Sequence, residues 1–256
     1  VQQDWITDKY KVVCATIAFG MGIDKPDVRY VIHYSMPKSI EGYYQEAGRA
    51  GRDGLLSTCI LYYNYSDKVR YMNMIMKEPP HCQQVSRNNL NLVVNFCENL
   101  VDCRRSVILN YFGEHFTREQ CLQNEKTACD NCRRTDKYKE LDVTEVSKKI
   151  VTAIKDLCET SRSTVLQMVD VFKGAETKKI VDSGHNRSSF HGCLKDWEKS
   201  DIQRIIHKLI IENFIREEIV VIKDIPQSYI KIGSKAGDLM SRGAKISFNV
   251  TDRQKV

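Results

Sequence analysis

The sequence predicts a mixed α/β chain made of three successive parts, and three observations lead to this prediction. Short apolar runs rich in β-branched residues alternate with a helical pattern over residues 11–63, which is typical of a parallel sheet. Ten cysteines are present, and four of them lie between residues 103 and 132. From residue 146 onward, three amphipathic helical patterns precede two β-rich runs. We therefore expect a partial parallel-sheet lobe, a cysteine-rich helical segment and a helical domain that ends in a β-hairpin.

The first part is predicted to contain three strands and one intervening helix. The strands are expected at Lys11–Ile17, Tyr30–Tyr34 and Cys59–Tyr63. A glycine-punctuated loop closed by Lys25-Pro26 follows the first strand, and a helix begins near Ser39. Because ligands of a parallel sheet bind at the carboxyl ends of its strands, residues in the loops after these ends are candidate ligand contacts.

Residues 45–53, Gln-Glu-Ala-Gly-Arg-Ala-Gly-Arg-Asp, place Arg49 and Arg52 three positions apart, each next to a glycine. We expect the helix that begins near Ser39 to carry both arginines on one face, since positions i and i+3 are neighbours on a helix. The glycines leave room for close approach of a ligand. Two guanidiniums on one face suit an anionic group such as a nucleotide triphosphate. The alternative is a solvated basic helix end.

The cysteines indicate a metal site rather than disulfides, because the sequence shows no secretory signal. Cys129-Asp130-Asn131-Cys132 has the spacing with which two thiolates bind one tetrahedral zinc ion, and Cys121 lies eight residues before it. Cys103 is a candidate fourth ligand, with Cys97 and His115 as alternatives. A redox pair is the competing interpretation, and it is disfavoured because no βαβ pattern surrounds the motif. A site of four cysteines is closed to water and therefore structural.

The last part has the elements of a winged helix. Helices are predicted over residues 146–158, 163–172 and 200–213. Ser163-Thr164 is a plausible N-cap of the second helix, and Gly174 ends it. The β-rich runs Ile219–Ile222 and Tyr229–Ile232 are separated by Lys223–Gln227, which we interpret as a hairpin turn. Three helices and a hairpin make a relative of the helix-turn-helix that docks on DNA.

Composition is compatible with these predictions. A length of 256 residues allows two domains or three small ones, and an apolar content of 42% supports globular cores. The formal net charge of +6 is mildly basic, as expected of a protein that binds nucleic acid. No transmembrane run is present in the sequence.

Two stretches resemble motifs V and VI of a superfamily-2 helicase. Ala15–Pro26 reads Ala-Thr-Ile-Ala-Phe-Gly-Met-Gly-Ile-Asp-Lys-Pro. The last eight of these residues resemble the form that this motif takes in the RecQ family. Tyr44–Asp53 resembles motif VI, and the run Val31–Glu46 is most similar to the Bloom-type branch of that family. The resemblance implies that the parallel-sheet lobe is the second RecA-like lobe of a helicase, present in part.

The resemblance also implies roles in ATP hydrolysis. Arg52 matches the arginine finger, which reaches the γ-phosphate of ATP held by the first RecA-like lobe. Arg49 and Gln45 match residues that couple the nucleotide state to lobe closure. Asp24 matches the motif V acid near the nucleotide. The alternative for Asp24 is a cap of the turn before Pro26.

Candidate DNA contacts in the first part follow from the same resemblance. Thr16 and Lys38 match positions that hold the DNA backbone, and Arg70 lies where a third phosphate contact is expected. The alternative for Arg70 is a solvated helix residue. Among the possible fourth metal ligands, the resemblance selects Cys103, so the expected zinc ligands are Cys103, Cys121, Cys129 and Cys132.

In the winged helix, the resemblance implies a grip on duplex DNA at a fork. Thr164 at a helix N-terminus is a candidate phosphate contact, because a helix N-terminus favours phosphate. Lys178, Lys179 and Lys199 are further candidates, since lysines supply the salt-dependent part of DNA binding. For each lysine, the alternative is solvated surface.

These interpretations divide the chain into five segments. We predict a second RecA-like lobe over 1–77, a zinc-binding helical subdomain over 78–138, a linker over 139–147, a winged helix over 148–250 and a tail over 251–256.

The sequence contains no Gly-x-x-x-x-Gly-Lys-Ser/Thr loop and no Asp-Glu dipeptide, so it lacks the usual residues for holding phosphates and Mg²⁺. We expect the carboxyl-side part of an ATP-dependent 3′-to-5′ DNA helicase, which shares ATP and Mg²⁺ with a first lobe and hydrolyses no ATP alone. The resemblance implies repair, recombination and replication junctions between single- and double-stranded DNA as substrates. It also implies a nuclear location away from membranes, with a type I topoisomerase and a single-strand-binding protein as partners.

Two other classes of function remain open at this stage. One is a non-catalytic zinc and winged-helix module that binds DNA and carries a degenerate motor lobe. The other is an RNA helicase, which shares the arginine pair but not the Asp-Lys-Pro loop followed by a zinc site and a winged helix. Preference for forked DNA over RNA separates the last class from the others.

Overall fold

The computed structural model describes residues 1–16, 24–136, 138–159, 161–241 and 243–251. The chain divides into two compact units. The first consists of Val1–Cys97 and Asp102–Cys132, and the second consists of Glu98–Val101 and Arg133–Val256. None of the helices in the described ranges is both long and apolar enough to cross a membrane.

The first unit contains a parallel strand pair and a series of helices. Its elements are α1 (Gln2–Ile6), β1 (Tyr30–His33), α2 (Ile40–Ala47), β2 (Thr58–Leu61), α3 (Ser66–Ile75), α4 (Pro80–Glu98), α5 (Arg104–Tyr111), α6 (Arg118–Leu122) and α7 (Asp130–Arg133). β1 and β2 pair in parallel, from Tyr30 opposite Thr58 to His33 opposite Leu61. Parallel strands need a crossover connection, and α2 supplies it. Strands and a helix are therefore found where the second and third predicted strands and the helix after Ser39 were expected.

The strand expected at Lys11–Ile17 is not formed in its described part, Lys11–Thr16, so this prediction is wrong there. Val12 is 79% exposed and Cys14 is exposed as well. A strand needs a neighbour that receives its backbone hydrogen bonds, and within the described ranges the sheet of this unit consists of β1 and β2. Residues 17–23, with most of the glycine-punctuated loop, lie outside the described residues.

The second unit is built around one apolar core. Its elements are β3 (Tyr138–Asp142), α8 (Thr144–Cys158), α9 (Val165–Lys173), α10 (Lys178–Asp182), a 3₁₀ turn (His185–Arg187), α11 (Lys199–Ile211), β4 (Ile215–Ile222), β5 (Ile225–Ile232), α12 (Ala236–Ser241) and β6 (Ser247–Thr251). Fully buried residues from α8, α9 and α11, such as Ile150, Phe172 and Ile206, meet in this core together with Ile215 of the hairpin. Three helices and a hairpin confirm the predicted winged helix.

The segment predicted as a linker, 139–147, contains regular structure. Tyr138–Asp142 forms β3, which pairs antiparallel with β6, and Thr144 begins α8. The Thr144 hydroxyl accepts a hydrogen bond from the backbone N–H of Ile246 at 2.9 Å. Because the partner strand lies about a hundred residues further along the chain, the local polar composition of 139–147 carries no sign of the pairing.

The hairpin is longer and its turn tighter than the sequence suggested. β4 and β5 pair from Ile215 opposite Ile232 to Ile222 opposite Ile225, so Lys223 and Asp224 alone form the turn. Both turn residues have positive φ, 49° and 64°, as in the two-residue turns that match the twist of paired strands. Pro226, predicted to lie in the turn, belongs to β5. An edge strand tolerates proline because one row of its backbone N–H groups faces outward.

The start and end of α9 agree with the prediction. The Thr164 hydroxyl accepts a hydrogen bond from the Gln167 N–H at 3.3 Å, and the Gln167 side chain accepts one from the Thr164 N–H at 2.8 Å. This is a capping box. Gly174 ends the helix in the left-handed conformation, with φ of 79°.

Replacing Thr164 by alanine removes this cap and should lower the free energy of unfolding by roughly 0.5–2 kcal/mol. Thr177→Ala is the matched control, because Thr177 is the N-cap of α10 but makes no side-chain capping hydrogen bond. Urea unfolding followed by circular dichroism measures both variants. Equal losses for the two would contradict the capping assignment.

Candidate metal centre and cationic segments

Four cysteine side chains of the first unit meet at one point. The Sγ atoms of Cys103, Cys121, Cys129 and Cys132 all lie within 4.8 Å of one another. The Sγ atoms of Cys103 and Cys129 are 3.9 Å apart. Tetrahedral Zn–S bonds of about 2.3 Å require sulfur atoms about 3.8 Å apart, so the cluster fits a structural Zn²⁺. Cys97 and His115, the other candidate ligands, are outside this group of described residues.

Short helices bring the four cysteines together. Cys103 is the N-cap of α5, Cys121 lies in α6, and Cys129 directly precedes α7, which contains Cys132. Thr117 and Gln120 form a capping box at the start of α6, which fixes the helix that presents Cys121.

Backbone N–H groups point at the sulfur atoms. The Arg104 N–H donates to the Cys129 Sγ at 3.4 Å, and the Cys129 N–H donates to the Cys121 Sγ at 3.4 Å. The Arg104 guanidinium forms two hydrogen bonds with the Asp130 carboxylate, at 3.0 and 3.1 Å. Such outer contacts orient the ligands and stabilise thiolates.

The thiols need a cation to ionise together. Burial raises the pKa of Cys121 and of Cys132. Burial also acts to raise the pKa of Cys103, but hydrogen bonds from the backbone and hydroxyl of Ser106, together with those from Cys121 and Cys132, outweigh it and lower that pKa to about 7. A divalent metal ion offsets the electrostatic repulsion between neighbouring thiolates. Its binding is therefore coupled to deprotonation of the cysteine ligands.

Arg49 and Arg52 do not lie on a helix, so this part of the sequence prediction is wrong. α2 ends at Ala47 with Gly48 as its C-cap, and both arginines follow in consecutive turns. Gly51 has φ of 64°, and a Cβ there would lie 2.8 Å from the Leu55 carbonyl oxygen. Gly51 therefore serves the backbone turn and not only the approach of a ligand.

Hydrogen bonds attach this arginine segment, residues 48–56, to the entry of β1. The Gly51 N–H donates to the Val28 carbonyl at 2.9 Å, and the Arg29 guanidinium contacts both Asp53 carboxylate oxygens, at 2.6 and 2.7 Å. A further bond joins Arg29 to the Leu56 carbonyl at 3.0 Å. The Arg29 hydrogen bond lowers the pKa of Asp53. Sequence reasoning missed Arg29, because its partners are distant along the chain.

The structure brings two of the predicted nucleotide-site residues together. Arg52 Nη1 lies 3.7 Å from an Asp24 carboxylate oxygen, and the side chains are 41% and 91% exposed. Arg49 is half-buried and Gln45 is exposed on α2. Exposure leaves Arg52 and Asp24 accessible to a ligand.

An aromatic path connects α2 with the metal centre inside the first unit. The Tyr43 and Phe96 rings are 5.5 Å apart, and the Arg104 guanidinium carbon lies 5.3 Å from the Phe96 ring centroid. Burial raises the pKa of Tyr43 to about 12. Nothing in the sequence indicated that Phe96 on α4 lies between these two sites.

The predicted DNA-contact residues of the first unit differ in their exposure and in the side chains beside them. Thr16 is exposed and directly precedes residues outside the described range. Lys38 is exposed in the turn before α2. Arg70 on α3 is 49% exposed and lies 3.3 Å from the Asp67 carboxylate. Lys38 and Arg70 both lie beside the Tyr71 ring, which the sequence did not single out.

In the second unit, the cationic residues lie just before α9 and at the starts of α10 and α11. An open cavity of about 310 Å³ is lined by Arg162, Gln167, Lys179 and His185, among others. Lys178 and Lys179 are exposed at the start of α10. Lys199 forms an ion pair with Asp170 at 2.7 Å. Arg162 was not predicted, and its position before the Ser163-Thr164 cap is the sequence signal that could have indicated it.

Three domain families match the chain in succession. Residues 1–54 match the helicase conserved C-terminal domain, residues 65–133 match the RecQ zinc-binding domain, and residues 137–256 match the RQC domain. A helicase C-terminal domain followed by a RecQ zinc-binding domain and an RQC domain defines the class of protein as RecQ-type.

Relatives with this organisation align over most of the chain. The RecQ-like DNA helicase BLM of Xenopus laevis is 41% identical over 98% of this chain and 19% of its own length. The ATP-dependent helicase SGS1 of Saccharomyces cerevisiae is 40% identical over 98% of this chain and 17% of its own. The RecQ-like DNA helicase blm-1 of Caenorhabditis elegans is 42% identical over 86% of this chain and 23% of its own.

The chain belongs to the RecQ family of DNA helicases and contains the helicase conserved C-terminal domain, the RecQ zinc-binding domain and the RQC domain. It spans about a fifth of the length of the relatives named above.

The metal centre predicts one tightly bound zinc ion per chain. Cys132→Ser should lose the metal and become insoluble, because one ligand of a closed site is removed. Cys82→Ser is the matched control, since Cys82 is half-buried in the same unit but outside the cluster. Elemental analysis of the purified proteins measures the metal. A folded wild-type chain without zinc would refute the assignment.

Proposed function

We propose that this chain forms part of an ATP-dependent 3′-to-5′ DNA helicase that unwinds forked, recombination and repair intermediates. The pairing of β1 and β2 through α2 supports a second RecA-like lobe, since βαβ units of this kind build such lobes. The observation that carries the proposal is the accessible contact between Asp24 and Arg52, which lies on the arginine segment held at the entry of β1.

Arg52 acts in this proposal as the arginine finger. A phosphoryl-transfer transition state spreads negative charge over its oxygens, and an arginine brought in from a second lobe stabilises that charge. Arg49 and Gln45 couple the nucleotide state to lobe closure, and Asp24 lies near the nucleotide. Asp24 lies 3.7 Å from Arg52, a weak enough contact for the γ-phosphate to replace it. ATP and Mg²⁺ are held jointly with a first RecA-like lobe.

DNA contacts are distributed over both units. Thr16, Lys38 and Arg70 hold the backbone of one strand in the first unit. In the second unit, Thr164, Lys178, Lys179 and Lys199 contact duplex phosphates. The open cavity beside the N-terminus of α9 supports this role, because Arg162 and Lys179 line it and a helix N-terminus attracts phosphate.

The cysteine centre has a structural role in the proposal. Cys103, Cys121, Cys129 and Cys132 hold one Zn²⁺, leaving no coordination position for water or substrate. The centre maintains the contact of α5 with Phe96 and, through Phe96, with Tyr43 of α2.

We infer the following domain limits: second RecA-like lobe over 1–77, zinc-binding subdomain over 78–138, linker over 139–147, winged helix over 148–250 and tail over 251–256. β3 lies in the linker segment and pairs with β6, which places part of that segment in the fold of the second unit.

A nuclear location, a type I topoisomerase and a single-strand-binding protein as partners complete the proposal. The nuclear location follows from DNA as the substrate and from the resemblance to the RecQ family, and both partners follow from that resemblance. The names of the relatives support DNA helicase activity for those proteins, and we extend it to the protein of which this chain is a part.

In the complete protein, Arg52→Ala should reduce DNA-stimulated ATP hydrolysis by roughly 10³–10⁵-fold while ATP and DNA binding survive. Arg187→Ala is the control, since it removes an exposed arginine from the 3₁₀ turn of the second unit. Phosphate release and filter binding measure the two properties. Unchanged hydrolysis in Arg52→Ala would refute the arginine-finger role of Arg52, whereas absence of ATP hydrolysis in the complete wild-type protein would favour a non-catalytic DNA-docking module with a degenerate motor.

The isolated chain should release no phosphate from ATP in the presence of DNA, because its sequence has neither a P-loop nor an Asp-Glu dipeptide. Forked DNA should nevertheless bind the isolated chain in preference to RNA of the same length. Clear ATP turnover by the purified chain would contradict the division of the active site between two lobes.

A further inference from the structure

Two cations from different elements of the first unit lie beside the same aromatic ring. Lys38 Nζ, in the turn before α2, is 5.9 Å from the centroid of the Tyr71 ring. The Arg70 guanidinium carbon, on α3, is 5.3 Å from the same centroid. Both distances are within the range in which the ring quadrupole attracts a cation.

Asp67 joins the two elements that carry these cations. One carboxylate oxygen accepts a hydrogen bond from the Met36 N–H at 3.0 Å, and the other lies 3.3 Å from Arg70 Nη2. Met36 is fully buried, which fixes the backbone two residues before Lys38. On the other side of Lys38, the Ser39 hydroxyl caps α2 by accepting from the Gly42 N–H at 3.1 Å. The backbone of Lys38 is therefore held from both directions, while its side chain remains exposed.

We propose that Tyr71 is a positioning residue for DNA binding: its ring holds Lys38 and Arg70 at a fixed spacing, so that they bind neighbouring phosphates of one strand. We call Lys38, Arg70 and Tyr71 the tyrosine clamp. The proposal rests on the proposed function, in which Lys38 and Arg70 contact the DNA backbone, and it adds the residue that organises them.

The physical reason is pre-organisation. Lysine and arginine side chains have many rotamers, and ordering them on binding costs conformational entropy. Two like charges also repel each other when they approach one strand. The negative face of the Tyr71 ring attracts both cations, so it restricts their side chains and reduces their mutual repulsion in the DNA-free protein. The clamp also stays accessible, because Lys38 is exposed and Arg70 is 49% exposed.

The test uses the complete protein and a single-stranded oligothymidylate over a series of salt concentrations. Tyr71→Leu removes the ring and should weaken binding by about 3- to 10-fold, whereas Tyr71→Phe keeps the ring and should bind as the wild type does. Tyr10→Leu is the matched control, because Lys9 lies 5.8 Å from the Tyr10 ring outside the clamp. This control should leave the affinity unchanged.

A double-mutant comparison separates positioning from other roles. Lys38→Ala and Arg70→Ala should each weaken binding and lower the salt slope by about 0.7, as expected for one lost contact to a single strand. In the Lys38→Ala/Arg70→Ala background, Tyr71→Leu should cause no further loss, since no cations remain to be positioned. An equal loss in that background would overturn the proposal, because Tyr71 would then act by stacking on a base or through folding.

The remaining outcomes distinguish this inference from the proposed function. If Lys38→Ala and Arg70→Ala leave binding and salt slope unchanged, the DNA contacts of the first unit are refuted, and the tyrosine clamp with them. If those variants weaken binding but Tyr71→Leu does not, the positioning role of Tyr71 alone is refuted. Loss of binding in Tyr71→Phe as large as in Tyr71→Leu would also overturn it, because the phenylalanine ring retains the attraction for cations.

Discussion

The requirement that four thiolates bind one metal ion organises residues 103–132 more than any apolar contact near them. The buried residues at this point are three of the cysteines and Ala128, with Phe116 and Cys129 packed against them. So small an apolar group contributes little. A structural zinc site contributes roughly 10–16 kcal/mol in small modules, which is comparable with the total stability of many domains. The metal can therefore replace a hydrophobic core here, and α5, α6 and α7 need only be short helices that present ligands.

A series of side-chain contacts connects the cysteine centre with the helix that leads into the arginine segment. Arg104 directly follows the metal ligand Cys103. It pairs with Asp130, which lies between the ligands Cys129 and Cys132, and its guanidinium lies beside the Phe96 ring. Phe96 contacts Tyr43 on α2, whose C-terminal end leads into Arg49 and Arg52. We therefore expect a change in the cysteine centre to alter the helix that precedes Arg49 and Arg52, the two arginines proposed to act on ATP.

Sequence reasoning succeeded where a residue type has one local use and failed where a partner is distant. The Cys-x-x-Cys spacing, the Thr164 cap and the Gly174 helix end are local signals, and the structure contains the corresponding features. Whether a run such as Lys11–Thr16 becomes a strand depends on a neighbour that the local sequence does not reveal. The same applies to β3, whose partner β6 is remote, and to Arg29, whose contacts with Asp53 fix the arginine segment. The helix expected to carry Arg49 and Arg52 ended earlier because Gly48 and Gly51 favour turns over helix.

The surroundings of each cation indicate how well it suits a phosphate. Lys199 already pairs with Asp170 at 2.7 Å, so a phosphate must compete with a carboxylate there. Lys179 instead lines an open cavity together with Arg162, close to the capped start of α9. Two cations and a helix N-terminus around one cavity sum their potentials, which Asp182 at the same cavity offsets in part, whereas an existing ion pair cancels much of its own. For this reason we expect the N-terminal side of α9, with Lys179 and Arg162, to bind phosphate better than Lys199 does, a difference that composition alone does not show.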